Sequence, residues 1–289
     1  MKGLIHLCII FVLLTILSSN EPPDGRMISF GDYKLHVIVN GTGEPAVIFE
    51  GGLECSTKLY DKLRIPVSEF TRAVSYDHAG IGYSTRSPDQ RTLPNYVNEL
   101  CRLLRKEEIY PPYILVGHSI GGFIIRYFAH IYPNDVAGLV FIDMPPDDWF
   151  NYIRTTHSPE DLLMFNKIFD PDLTDTYKGV GKEELKMYEY NTALLEGIKI
   201  PHHIPVRMVT SIKYYSWTKE KGYHPEDMII WAEMQAEVLE GVPDSKQIIT
   251  EKSGHFIQGS EPELVIDAIK ELVDKYRNSK QDSINSGRK

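Results

Sequence analysis

Five short runs, Ala46-Val47-Ile48-Phe49, Arg72-Ala73-Val74-Ser75-Tyr76, Tyr113-Ile114-Leu115-Val116, Gly138-Leu139-Val140-Phe141-Ile142 and Val206-Arg207-Met208-Val209, are nearly continuous in apolar side chains. A strand with one wet face alternates, whereas a strand covered on both faces does not, so these runs predict a sheet lying between two layers. Helical patterns separate them. Thr92 is placed to cap a helix carrying Tyr96, Val97, Leu100, Leu103 and Leu104 at helical spacing, and Ile120 to Ile131 forms another. Further helices are expected from about Pro225 to Leu239 and from Glu261-Pro262 to about Tyr276, with Gln247-Ile248-Ile249 as a strand between them. Strands alternating with helices point to an α/β protein with a parallel sheet. Residues 27 to 39 alternate instead, and predict a hairpin turning at Gly31-Asp32 with Leu35, Val37 and Val39 on one face.

The rhythm breaks once. From Met144 to His203 no strong buried strand occurs, and aromatics such as Trp149, Phe150, Phe165, Phe169 and Tyr188 are mixed with acids and helical stretches. Residues 145–203 are therefore expected to be an insertion over one sheet edge. The core is then 26–144 with 204–276, and 277–289 is a polar tail expected to fray.

Residues 1–20 stand apart. Lys2 precedes an apolar run from Leu4 to Leu17, broken only by His6 and Thr15, which predicts a signal peptide or an N-terminal anchor. A helix of about 14 residues would rise roughly 21 Å, less than a hydrocarbon core of roughly 30 Å, which favours cleavage over a permanent span. The expected location is secreted or extracytoplasmic. If the segment is retained, residues 4–17 would be the one membrane contact. Cys8 would leave with the signal, and Cys55 and Cys101 could then pair or remain two separate small buried residues.

Composition narrows the classes of function. With 42% apolar residues, 25% charged residues and 3 cysteines in 289 positions, the chain is neither disordered nor a disulfide scaffold. A net charge of −9 argues against a nucleic-acid partner, because phosphate binding needs a basic face. Two thiols without suitably spaced histidines make no zinc site, and no cofactor is expected.

The chemistry centres on Gly117-His118-Ser119-Ile120-Gly121, set between a buried strand and a helix. A serine in a strand-turn-helix junction, with glycines two residues to either side, fits a nucleophile elbow. The helix start also aims backbone N–H groups at the space above the serine. A serine hydroxyl needs a base, and His255, in a loop before the terminal helix, is the better placed histidine. His118 is expected to pack locally or shape the pocket, and His202-His203 to be exposed hinge residues. The orienting carboxylate is expected at Asp143, at the end of Phe141-Ile142-Asp143, with Asp227, Asp147, Asp148 and Glu220 as competitors. Donors for an oxyanion are expected from Ile120 and from the Glu50-Gly51-Gly52-Leu53-Glu54 loop, Leu53 first and Gly52 second.

These motifs, together with Tyr76-Asp77-His78-Ala79-Gly80-Ile81-Gly82-Tyr83-Ser84 and Ser253-Gly254-His255-Phe256, resemble the α/β-hydrolase superfamily over roughly residues 27 to 275. The resemblance implies an eight-stranded, mostly parallel sheet flanked by helices, a Ser-acid-His triad and a helical lid inserted after the sixth strand. Two departures stand out. Gly51-Gly52 occupies a place where many relatives have His-Gly, and no acid follows Val206–Ser211 closely. A serine at position 119 disfavours the dehalogenase and epoxide hydrolase branches, which carry aspartate there. The expected function is hydrolysis of a small-molecule carboxylic ester with a small or medium apolar acyl group. An aminopeptidase or lactonase of the same fold, or a low-turnover ligand-binding or receptor member, are the other readings.

Overall fold

A computed structural model of the chain describes residues 22–286. The segment 1–20 expected to be a signal or anchor, with Cys8, lies outside the described residues, and among those described no helix is long and apolar enough to cross a membrane.

Among the described residues eight strands form one sheet: β1 (Arg26–Ser29), β2 (Lys34–Asn40), β3 (Ala46–Glu50), β4 (Ala73–Tyr76), β5 (Tyr113–His118), β6 (Val136–Ile142), β7 (Val206–Ser211) and β8 (Ser245–Thr250). Their order is β1-β2-β4-β3-β5-β6-β7-β8. The hairpin strand β2 runs antiparallel to β4, and every later neighbour is parallel. The continuous apolar runs are explained by this layering. Successive residues of β3, β5 and β6 feed opposite cores: Ile48, Leu115 and Leu139 point to one, Val47, Ile114 and Val140 to the other. The first core is closed by helices Leu93–Lys106 and Gly121–Ile131, and the second by Asp61–Ser68 and Pro262–Ser286. Each large aliphatic side chain so buried contributes about 1.5–3 kcal/mol.

Thr92 caps its helix as expected, its side chain accepting from the Asn95 N–H. The segment 145–203 holds helices Trp149–Thr156, Pro159–Phe169, Val180–Lys186 and Tyr188–Leu195 and no strand. One expectation fails. The last helix continues past Tyr276 to Ser286, so most of the stretch read as a frayed tail is helical. Arg277 in that extension donates to the carbonyls of Glu44 and Phe70, ties that the polar composition did not reveal.

Parallel strands deliver their carboxyl ends to one edge, and from β3 the chain goes to β4 on one side while β5 lies on the other. Such a reversal leaves a crevice, here between the ends of β3 and β5.

Candidate active site

Ser119 sits directly after β5, with φ 52°, a left-handed conformation rare for a residue with a side chain. Its N–H donates to the Ile142 carbonyl at 3.0 Å and its carbonyl accepts from Gly122 at 2.8 Å, which holds the turn. The glycines are required by contact. A Cβ on Gly117 would lie 2.5 Å from the Gly121 carbonyl oxygen, and one on Gly121 would press into the backbone carbonyl of Glu50. Ile120, with helical φ and ψ, opens the helix Gly121–Ile131.

Asp143 follows β6 and also takes a left-handed conformation, φ 46°. Its Oδ2 is 2.7 Å from His255 Nδ1, while its Oδ1 accepts from the Ser211 N–H at 3.0 Å and the Trp231 indole N–H at 2.9 Å. These bonds satisfy a buried carboxylate and aim it at the imidazole. The competing acids are elsewhere. Asp227 binds Tyr152, His157 and the backbone of His224, and Asp147 pairs with Arg126. Ser211, at the end of β7 where no acid follows, contributes its N–H to Asp143 instead.

His118 is buried, its Nε2 3.0 Å from the His255 carbonyl and its ring centroid 4.7 Å from that of His255. Burial, and then the neighbouring His255, push His118 well below the usual histidine range, so the ring is neutral and donates from Nε2. His202 and His203 are exposed, as expected.

Leu53 lies in the tight turn that follows β3, closed by the Cys55 N–H donating to the Gly52 carbonyl at 3.0 Å. Ser119, Ile120, Leu53, Asp143 and His255 all line one pocket, which encloses about 880 Å³ with its open mouth included. The structure thus brings together all five residues that the sequence singled out. Its walls add groups the sequence did not single out. Burial pushes the Lys221 amine well below its usual range, and its Nζ rests 4.4 Å from the Phe169 ring centroid. Cys55, also on the wall, is pushed up to about 12 by burial, so its thiol is protonated and a poor nucleophile. Neither Cys55 nor Cys101 is in a disulfide. Among the described residues no group of three or more His, Cys, Asp or Glu could hold a metal ion.

The aromatics of the 145–203 segment serve two purposes. Trp149 and Phe165 are fully buried core, yet Trp149, with Phe150, Phe169 and Tyr188, also faces the pocket.

The eight-stranded sheet flanked by helices is the α/β-hydrolase fold, and the family model for the alpha/beta hydrolase fold matches residues 45–185. The match to that family and the likeness to solved structures agree on the α/β-hydrolase fold. It is 31% identical over 122 residues to the uncharacterized protein YqjL of Bacillus subtilis (strain 168), a match covering 42% of this chain and 47% of that protein. The chain thus spans about half the length of that curated relative. Among solved structures, alpha/beta hydrolase domain-containing protein 10 from mouse superposes with a TM-score of 0.62 at 18% identity, covering 86% of this chain and 98% of that one. A thermophilic esterase from Thermogutta terrifontis superposes with a TM-score of 0.58 at 18% identity, covering 84% and 94%.

Proposed function

We propose that the chain is a serine hydrolase that cleaves a carboxylic ester through an acyl-enzyme. The observation that carries this reading is the 2.7 Å pairing of His255 Nδ1 with Asp143 at the pocket onto which the elbow serine opens. Ser119 Oγ attacks the ester carbonyl as His255 Nε2 takes its proton. Asp143 accepts the Nδ1–H bond and stabilises the imidazolium. The backbone N–H groups of Ile120 and Leu53 receive the developing oxyanion. His255 then returns the proton to the departing alcohol. A water, deprotonated by the same imidazole, attacks the acyl-serine and releases the acid.

The pocket walls support an apolar acyl group, with Trp149, Phe150, Phe169, Tyr188 and Met228 among them. They disfavour an aminopeptidase. A free α-ammonium needs a carboxylate, and Asp143, the one acid among the described lining residues, is already bonded to His255, Ser211 and Trp231. Nitrophenyl esters of increasing acyl length, assayed beside an amino-acid anilide and a lactone, test the reading. Turnover is expected to be greatest for an ester of small or medium acyl length. Preference for the anilide or the lactone would refute the ester assignment.

The apolar segment 4–17 supports export as part of the same proposal. Mature protein recovered from the medium of expressing cells is expected to begin near residue 20; an intact Met1 on membrane-bound protein would show an anchor instead.

A further inference from the structure

The turn that carries Leu53 is held from outside the elbow. Glu50, the last residue of β3, has a fully buried carboxylate that accepts from the Tyr76 hydroxyl at 3.0 Å and lies 2.5 Å from His78 Nε2. On the other side of the imidazole, Glu184 Oε1 is 3.6 Å from His78 Nδ1, an ion-pair distance. Glu184 belongs to the lid helix Val180–Lys186, yet it is buried and accepts from the Tyr96 hydroxyl at 2.7 Å. Its second oxygen, Oε2, accepts the backbone N–H of Glu54 at 2.8 Å. Glu54 is left-handed, φ 57°, and directly follows Leu53. Gly181 completes the seat, because a Cβ there would lie 2.8 Å from the Glu54 carboxyl carbon.

We propose that Glu184, His78 and Glu50 are a positioning unit that fixes the Gly51–Glu54 turn, so that the Leu53 oxyanion donor is in place only when the lid is seated. This rests on the serine hydrolase reading. The physical logic is one of two clamps. Glu50 anchors the entry to the turn, Glu184 grips its exit by a charge-assisted bond, and the imidazolium between them neutralises the repulsion of two buried carboxylates. With the lid displaced, the Glu54 N–H loses its acceptor and the left-handed residue loses what holds it.

The groups around His78 keep it charged at neutral pH. Burial acts to lower it, but Glu50 and then Glu184 outweigh that and raise it to about 9. The Tyr76 and Tyr96 rings pack at 5.3 and 4.8 Å from His78, and Arg91, paired with Glu99, stacks on Tyr96 at 4.2 Å. A neutral imidazole above pH 9 would leave two facing carboxylates with no cation between them.

The test uses the full chain, with fluorophosphonate labelling of Ser119 and steady-state hydrolysis of a short aliphatic ester followed by pH-stat. Glu184→Gln is expected to lower kcat and the labelling rate by roughly 10- to 100-fold with KM within about twofold, since a misplaced donor acts on the transition state. Tyr96→Phe, which removes one bond to Glu184 and leaves both charges, should lower kcat by about threefold and decides the matter should Glu184→Gln fail to fold. The natural chain should lose kcat as pH rises through about 9, and His78→Arg, with a cation that does not titrate there, should keep it. Unchanged kcat and labelling in folded Glu184→Gln or Tyr96→Phe overturns the positioning unit alone. So does a natural pH profile that His78→Arg does not alter. Failure of the natural chain to label at Ser119 overturns the serine hydrolase reading as well.

Discussion

Asp143 Oδ2 and His255 Nδ1 lie 2.7 Å apart although 112 positions separate them, joined by a strand end and a loop at the same sheet edge. In the proposed mechanism this carboxylate selects the imidazole tautomer whose Nε2 can accept a proton. Asp143→Asn should therefore lower kcat by roughly 10³- to 10⁴-fold, with a small change in Tm. Asp227→Asn should do the reverse, sparing kcat but costing about 2 kcal/mol or more of stability, because Asp227 holds Tyr152 and His157 in a buried site. Paired kinetics and thermal unfolding of the two variants check the ranking.

Trp231 donates its indole N–H to the other oxygen of Asp143 at 2.9 Å. Trp231→Phe keeps most of the ring and removes that bond. We expect a fall in kcat of about 3- to 10-fold with a loss of about 1 kcal/mol in stability, read by ester turnover and by denaturant unfolding.

Gly121 and Gly259 separate backbone necessity from chance. A Cβ on Gly121 would press into the Glu50 carbonyl, whereas one on Gly259 meets nothing within 4 Å. Gly121→Ala should destabilise by about 1–3 kcal/mol and impair the elbow, and Gly259→Ala should leave Tm and kcat close to the natural values. Differential scanning calorimetry of the two proteins decides this.

Stability should fall on the alkaline side. His78, raised in the folded chain to about 9 from an ordinary 6.5, binds its proton more tightly folded than unfolded. Its contribution is complete below about pH 6.5 and is lost as pH rises through about 9. His78→Gln should have a lower Tm than the natural chain at pH 6.5, and a flatter dependence of Tm between pH 7 and about 9.5. Thermal scans across that range measure both.

The sheet was legible because burial on both faces leaves a continuous apolar run, and the elbow because only glycine tolerates the backbone contacts at positions 117 and 121. Asp143 was legible as a strand-end acid, but its partners Ser211 and Trp231 were not, since a backbone N–H has no sequence signature and an apolar-looking tryptophan on a helix reads as core. The Glu50–His78–Glu184 cluster was also hidden. Its members lie on β3, the loop after β4 and the helix Val180–Lys186, and a carboxylate in sequence gives no sign that it will be buried against an imidazole. The extended last helix was missed because its polar residues gain order from Arg277 reaching two backbone carbonyls of the core.

The central claim is that Ser119 is an activated nucleophile. Incubation with a fluorophosphonate followed by peptide mass mapping tests it most directly. The account predicts one phosphonylated residue, Ser119, in the natural chain, no labelling of Ser119→Ala, and strongly slowed labelling of His255→Ala. Equal labelling of natural and Ser119→Ala protein, or none in folded natural protein, would contradict it.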